Sequence, residues 1–462
     1  MKTRLILGGV VLLCMGLSAQ IDPGATQTVK YLYGNLKEVA FDTKGILFGQ
    51  EFFNSYSWYG GNHEDENRSD CKDVTGVHPA VLGQDFHYYL YKSSDEKRKH
   101  KEAALKAYQL GCVVTFDFHM KSRYHDGYDY QSSDRYLMYN IGNNNDAYGE
   151  VTWFKQQLDQ VISIINNELQ IPIVLRLFHE MNGNWFWWGT QAYGGSTAYI
   201  NFYRFAVNYI KDRTNYVLFA WSPNYPWTTA YYPGNSYVDV VGIDMYDIGT
   251  SSGPSMSTMV DQLTAVSDFA WNNGKVPIFA ETGNRVNSPD SWPWWWYNIF
   301  DQIQNSNRAW KIAWMLTWIN TNWGNVPYVA HSGSSADAKR GLQDFQNMAN
   351  TLFQPEAANR NMYDYSWRSS HMKIELAVDN AVSQNIELYP NPISAFDYLN
   401  IKSAESLKKV EIFDIQGRSV LLKVYNGLIN NDRIQINRLQ SGIYWVRINT
   451  ENIQEVKRLV VQ

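Results

Sequence analysis

The sequence predicts an α/β protein, a (β/α)8 TIM barrel followed by a small all-β sandwich, on three observations. Eight short apolar, β-branched runs recur between Ile46 and Asn320. Helical patterns separate most of them, as the crossovers of parallel strands require. Beyond Phe353 the pattern changes to brief alternating strands separated by turn residues.

In order, the runs are Ile46 to Phe52, Ala80 to His87, Val113 to Met120, Pro172 to Glu180, Tyr216 to Asn224, Val238 to Tyr246, Val276 to Glu281 and Lys311 to Asn320. Their near-continuous apolarity suits strands covered by helices. Ser93 with Glu96 makes a capping-box pattern ahead of Ala103, Leu105, Ala107 and Leu110, and Gly111 stands as the stop. Trp153 to Leu169, Ala198 to Lys211, Met259 to Asn273 and Trp294 to Ile303 follow with helical spacing, whereas the first and fifth crossovers read as loops. A doubly wound sheet is disfavoured, because no glycine-rich phosphate turn follows the first strand.

The 462 residues accommodate a large barrel and a small module. A formal net charge of −5 leaves no basic footprint for nucleic acid. The 18 Trp and 32 Tyr favour a neutral, ring-shaped ligand such as a glycan, with a heavily aromatic core as the alternative. At the N-terminus, Lys2 and Arg4 precede an apolar stretch from Leu5 to Leu17 and the small-residue site Leu17-Ser18-Ala19. We read residues 1–19 as a Sec signal peptide, because the stretch is short for a membrane span. The barrel is then expected over residues 22–366, a linker over 367–384 and the β-sandwich over 385–462. Cys71 and Cys112 remain after cleavage; a single bridge is open to them, although Cys112 starts a strand and reads as a buried hydrophobe. Metal-ligand spacing is absent, since Met181-Asn182-Gly183 follows His179-Glu180 where a zincin needs a second histidine. We expect no metal, no cofactor and a monomer.

Active residues of such barrels sit at the C-terminal ends of strands. Glu180 closes the fourth run, Tyr246 the sixth and Glu281 the seventh, and Trp318 lies near the end of the eighth. The run LRLFHEMNGNWFWWG, Leu175 to Gly189, sets an ionisable pair beside closely spaced aromatics. Such a pair costs stability unless it is used. Glycoside cleavage needs two carboxyl groups, one protonating the leaving oxygen and one acting at the anomeric carbon. Aromatic surroundings favour a protonated Glu180 as acid/base, and Glu281 then stays ionised as nucleophile with Tyr246 bonded to it. Arg176 lies four residues before Glu180, so strand alternation turns both inward. It either adds positive potential there or forms a structural ion pair with Asp244.

With these motifs the region from about Val29 to Phe353 resembles glycoside hydrolase family 26, retaining (β/α)8 enzymes best known as endo-β-1,4-mannanases. The matching segments are LRLFHEMNGNWFWWG, VDVVGIDMY (Val238 to Tyr246), PIFAETG (Pro277 to Gly283) and TWIN (Thr317 to Asn320). The resemblance implies Glu180 as acid/base and Glu281 as nucleophile. It also implies His179 and Trp185 at the cleavage subsite, Tyr246 orienting the nucleophile, and Trp318 as the platform beneath the sugar. Gln50, His119 and Trp188 are further candidate sugar contacts. Two departures bear on substrate: Gly49-Gln50-Glu51 stands where the family often has Gly-His-Gln, and Trp318-Ile319-Asn320 where it often has Trp-Arg-Asn. The segment His119 to Tyr130 is rich in charge and aromatics, and reads either as a substrate-binding or as a solvated loop.

The tail resembles a type IX secretion system sorting domain through IELYPNP (Ile386 to Pro392), VEIFDIQGRSV (Val410 to Val420), SGIYWVRI (Ser441 to Ile448) and the KRLVVQ ending. That resemblance implies outer-membrane export machinery as a partner and a secreted or cell-surface protein. The sequence thus points to an endo-β-1,4-mannanase acting on mannan or glucomannan. A β-1,3-xylanase or mixed-linkage β-glucanase of the same family is the alternative within the enzyme class. A non-catalytic glycan-binding barrel is disfavoured because both glutamates are present.

Overall fold

The computed structural model describes residues 20–58, 61–62, 65–321, 326–364 and most of 386–462. The expected signal peptide and linker lie outside the described residues. The chain forms two compact units, residues 1–368 and 369–462.

In the first unit eight parallel strands run β1 (Ile46–Glu51), β2 (Val81–Asp85), β3 (Val113–Asp117), β4 (Ile173–Arg176), β5 (Val217–Trp221), β6 (Val240–Tyr246), β7 (Val276–Gly283) and β8 (Trp314–Thr317). They pair in chain order, and β8 returns to β1 from Leu47↔Trp314 to Gln50↔Thr317, so the sheet closes into a barrel. Between strands the expected helices form. The Ser93 hydroxyl accepts the Glu96 N–H to start Ser94–Gln109, and Gly111 follows its end at φ +81°. Among the described residues, the first crossover holds one short helix, Asp70–Thr75, beside a small hairpin of Tyr56–Ser57 and Gly61–Asn62, and the fifth holds no helix. Elements beyond the sequence reading include the short strand Thr351–Leu352 on the outside of β1, the helix Gln27–Asp42 ahead of it, and the helices Phe86–Tyr91, Leu137–Gly142 and Ala336–Gln346.

The helix Gln27–Asp42 explains the barrel floor. Its Val29, Leu32 and Leu36 recur on one face and pack with Leu47, Val81, Val113, Val174, Leu218, Val240 and Val276 from the early parts of the strands. Further along β3 to β6, the same inward rows change to Asp117, Arg176, Asp244 and Tyr246. The opposite rows, including Val114, Phe116, Leu175, Phe219, Ile243 and Phe279, pack under the helices. A dry floor beneath a polar mouth is how this architecture separates stability from chemistry. Cys71 and Cys112 are both buried and unbridged.

The second unit is all antiparallel within its sheets. Ile386–Tyr389, Tyr398–Ser403 and Asn431–Gln435 form one sheet. Ser419–Val424, Lys409–Phe413, Gly442–Asn449 and Gln454–Val461 form the other. Alternate residues such as Leu399, Ile401, Val410, Ile412, Val446, Ile448 and Leu459 share one apolar cluster.

Candidate active site

Two irregularities build the mouth. On β7, Phe279 pairs with Ile243 but Glu281 pairs with the next residue, Asp244, leaving Ala280 as an extra residue. Strict alternation from Ile278 and Ala280, both in the inner cluster, would turn Glu281 outward with Phe279. The bulge re-aims it into the barrel. Beyond β4, Phe178 and Glu180 adopt φ of +48° and +54°. These left-handed conformations are costly for such residues and cluster at functional sites. The extended alternation expected from Arg176 to Glu180 therefore ends at Arg176, and Glu180 reaches the mouth by a turn. The Glu180 N–H, bonded to the Ser222 carbonyl at 2.9 Å, anchors that turn.

Glu281 is buried and held from two sides. The Tyr246 hydroxyl donates to its Oε2 at 2.7 Å, and the Arg176 guanidinium donates to Oε1. Arg176 also grips both oxygens of Asp117 (2.8 and 2.6 Å) and reaches Asp244 Oδ2 at 2.9 Å and Ser222 Oγ at 3.0 Å. Both functions considered for Arg176 are thus present in one side chain, which ties residues on or beside five neighbouring strands. The three acids around a single guanidinium are not all easily ionised. Burial raises Asp117 to about 6 despite Arg176, and burial holds Asp244 well above the usual carboxylate range.

Glu180 sits on the other side of the mouth. Burial, and then the charge of Glu281, raise its carboxyl to about 7. Its Oε2 accepts the Trp185 indole N–H at 2.8 Å. His179 is buried next to it, with Nε2 3.8 Å from Glu281 Oε1. Burial, Arg176 and His119 all press the His179 pKa well down, so the imidazole is neutral. His119 goes the other way: burial lowers it, but Asp85, 2.7 Å from Nδ1, outweighs this and raises it. The His119 ring lies 4.7 Å from that of His179 and 6.1 Å from that of half-buried Trp318.

Glu180, Trp185, Asn224, Tyr225, Tyr246 and Arg285 line an open cavity of about 680 Å³. Trp188, expected at the sugar, is instead fully buried, its indole N–H on the His179 carbonyl at 2.9 Å. It supports the site from behind because Phe186 stacks over it at 4.5 Å. Gln50 is also buried, at the end of β1. Ile319 packs with Phe52 and Tyr56, an apolar wall beside Trp318. The loop from His119 to Tyr130 pairs with the aromatic loop, Tyr130 N–H to Trp185 carbonyl at 2.6 Å and Trp187 N–H to Tyr128 carbonyl at 3.1 Å. Its charges are satisfied by neighbours such as Asp126 and Asp134, while the Tyr128 ring stands 4.9 Å from His119.

Sequence reasoning missed Asp85, Asp117, Asn224 and Arg285. The first three lie at or just after the ends of β2, β3 and β5, where the strand-end rule applied to Glu180 would have found them. Arg285 follows β7, pairs with Asp247 at 2.7 Å and lies 4.6 Å over the Tyr246 ring. Among the described residues, Asp117, His119 and His179 each offer one donor atom within 4.8 Å of one another. The Arg176 guanidinium already occupies both Asp117 oxygens, supplying the positive charge that an ion would bring.

A closed barrel carrying two glutamates and flat aromatics in one mouth defines a glycoside hydrolase. Residues 21–317 match Glycosyl hydrolase family 26, and the chain belongs to that family. Residues 387–462 match a Secretion system C-terminal sorting domain. A mannan endo-1,4-β-mannosidase of Bifidobacterium adolescentis is 27% identical over 384 residues, covering 75% of this chain but only 36% of the relative. Mannan endo-1,4-β-mannosidase A and B of Caldalkalibacillus mannanilyticus is 25% identical over 366 residues, 72% of this chain and 67% of the relative. A solved Cellulomonas fimi endo-β-1,4-mannanase double mutant shares the fold, with a TM-score of 0.66 at 23% identity, covering 96% of this chain and 99% of that one.

Proposed function

We propose that the protein is a retaining endo-β-1,4-mannanase, with Glu281 as nucleophile and Glu180 as acid/base. The observation that carries this reading is the unequal treatment of the two glutamates. Glu281 takes donors from Arg176 and Tyr246, one on each carboxylate oxygen, which hold it in place. Glu180 keeps its proton to about pH 7. Glu281 then attacks the anomeric carbon while Glu180 protonates the departing oxygen. In the second step Glu180, now ionised, removes a proton from the water that releases the sugar from Glu281. Neutral His179 hydrogen-bonds sugar hydroxyls without adding a charge beside Glu281, and Trp318 supplies the stacking face.

The similarity to mannan endo-1,4-β-mannosidases supports mannan as the substrate. Ile319, in the apolar wall by Trp318, favours a second reading, cleavage of β-1,3-xylan or mixed-linkage glucan. Digestion of glucomannan, galactomannan, lichenan and β-1,3-xylan separates them: mannan products of several lengths with retained anomeric configuration are expected, and activity on lichenan alone would overturn the assignment. The same reading covers export: residues 1–19 direct Sec transfer, and the C-terminal sorting domain then directs passage through the outer membrane by type IX machinery. Mass spectrometry of the secreted enzyme tests this, because a product still ending at Gln462 would count against processing of the tail.

A further inference from the structure

The stretch Ser291 to Tyr297 reads SWPWWWY, and its last four rings divide into two groups. Trp295 and Trp296 are buried, with their indole N–H groups on the carbonyls of Ile248 and Tyr328, both at 2.9 Å. Trp294 and Tyr297 turn away from them. Three residues apart at the start of the helix Trp295–Gln304, they share one face. Trp294 is half-buried and Tyr297 is 37% exposed. With Asn298 and with Asp344, Asn347 and Met348, which lie in and just after the helix Ala336–Gln346, they line an open groove of about 590 Å³. The groove shares no lining residue with the active-site cavity.

Its chemistry is selective. The Trp294 N–H donates to Asp344 Oδ2 at 2.9 Å, which fixes the plane of the indole before any ligand arrives. A pre-oriented ring loses little freedom on binding. Two amides, the carboxylate of Asp344 and a phenol surround that ring, which suits a pyranose: C–H face on the indole, hydroxyls on the amides and carboxylate. No lysine or arginine lines the groove, so an anionic ligand has nothing to bind. Met348 is its sole aliphatic side chain, too little apolar surface to seat a protein partner.

We propose that this groove is a second glycan-binding site, taking a few units of a neutral β-linked polysaccharide and holding the enzyme on insoluble substrate while the mouth cleaves. The proposal rests on the reading that the chain acts on such a polymer. The test compares the full-length protein with the Trp294→Ala/Tyr297→Ala double variant, and with Tyr297→Ala alone should the double variant fold poorly. Two quantities are measured: depletion from solution onto insoluble mannan, cellulose and β-1,3-xylan, and kcat/KM on a soluble oligosaccharide. Loss of ring stacking is expected to lower retention about fivefold or more on one of these polymers, with oligosaccharide hydrolysis unchanged. Unaltered retention on all three overturns the proposal, as does a parallel fall in oligosaccharide hydrolysis, which would mean that the rings act through the fold. A wild-type dimer in light scattering that the substitutions dissociate would overturn it in favour of a second copy of the chain. Cleavage of none of the mannans would refute the mannanase assignment alone, because retention is scored polymer by polymer.

Discussion

The indole nitrogen of Trp185 lies 2.8 Å from Oε2 of Glu180. The contact is built into the local chain: the Trp185 ring covers Gly183 so closely that a Cβ there would come within 2.3 Å of it. Only glycine lets the ring fold back onto the acid five residues earlier. The bond favours the ionised form of Glu180 and so opposes the burial that raises its pKa to about 7.

Trp185→Phe keeps a ring and removes that donor. Without it the Glu180 pKa rises further, so the alkaline limb of kcat/KM should move to higher pH while the acid limb stays in place. A pH–rate profile checks this. An unmoved alkaline limb would disconnect Trp185 from the acid.

Glu281→Ala should lower kcat by about a thousandfold or more while oligosaccharide binding, measured by calorimetry, stays close to that of the parent. Azide or formate added to this variant is expected to restore some turnover with inverted configuration, since a small anion can enter the space that the carboxylate leaves. Wild-type turnover without Glu281 would remove the assigned nucleophile.

Arg176→Met strands Asp117, Asp244 and Glu281 without their shared cation. Breaking a buried pair by removing one partner costs about 3–5 kcal/mol, and denaturant unfolding should show a loss of that order together with loss of activity. Arg176→Lys should rescue neither fully, because an ammonium cannot make the same set of planar bonds.

Glu180→Gln tests the proton on the acid through stability. An unfolded glutamate ionises near 4.5, whereas burial and Glu281 keep the folded one protonated to about 7. The folded state therefore binds the proton more tightly, and this contribution is fully present below 4.5 and lost as pH rises through 7. The glutamine variant should melt close to the parent at about pH 5 and above it at about pH 8. A constant difference in Tm across that range would place the raised pKa elsewhere.

Much of this was legible in the chain because burial and strand geometry leave simple periodic traces. The eight β-branched runs and the Ser93 cap follow from burial and hydrogen-bond demand. The aromatic loop after Glu180 was visible as residues too costly to place beside a carboxylate without use. Trp188 was misread because composition cannot tell a ring that faces sugar from one that backs another ring. The acids Asp85 and Asp117 were overlooked because each lies inside a run, Ala80 to His87 and Val113 to Met120, that otherwise reads as ordinary core, and only the structure ends the strands at them.

By itself the sequence determined which residues are available: a barrel, two glutamates at strand ends, and an all-β tail with a sorting-domain pattern. Only the tertiary structure decided where those glutamates point. Regular alternation would face Glu281 toward the helices, and the unpaired Ala280 turns it inward. Left-handed turns at Phe178 and Glu180 swing the other carboxyl over the mouth. Neither feature has a local signature, because bulges and strained turns persist only when neighbouring strands, here gathered by Arg176, hold them in place.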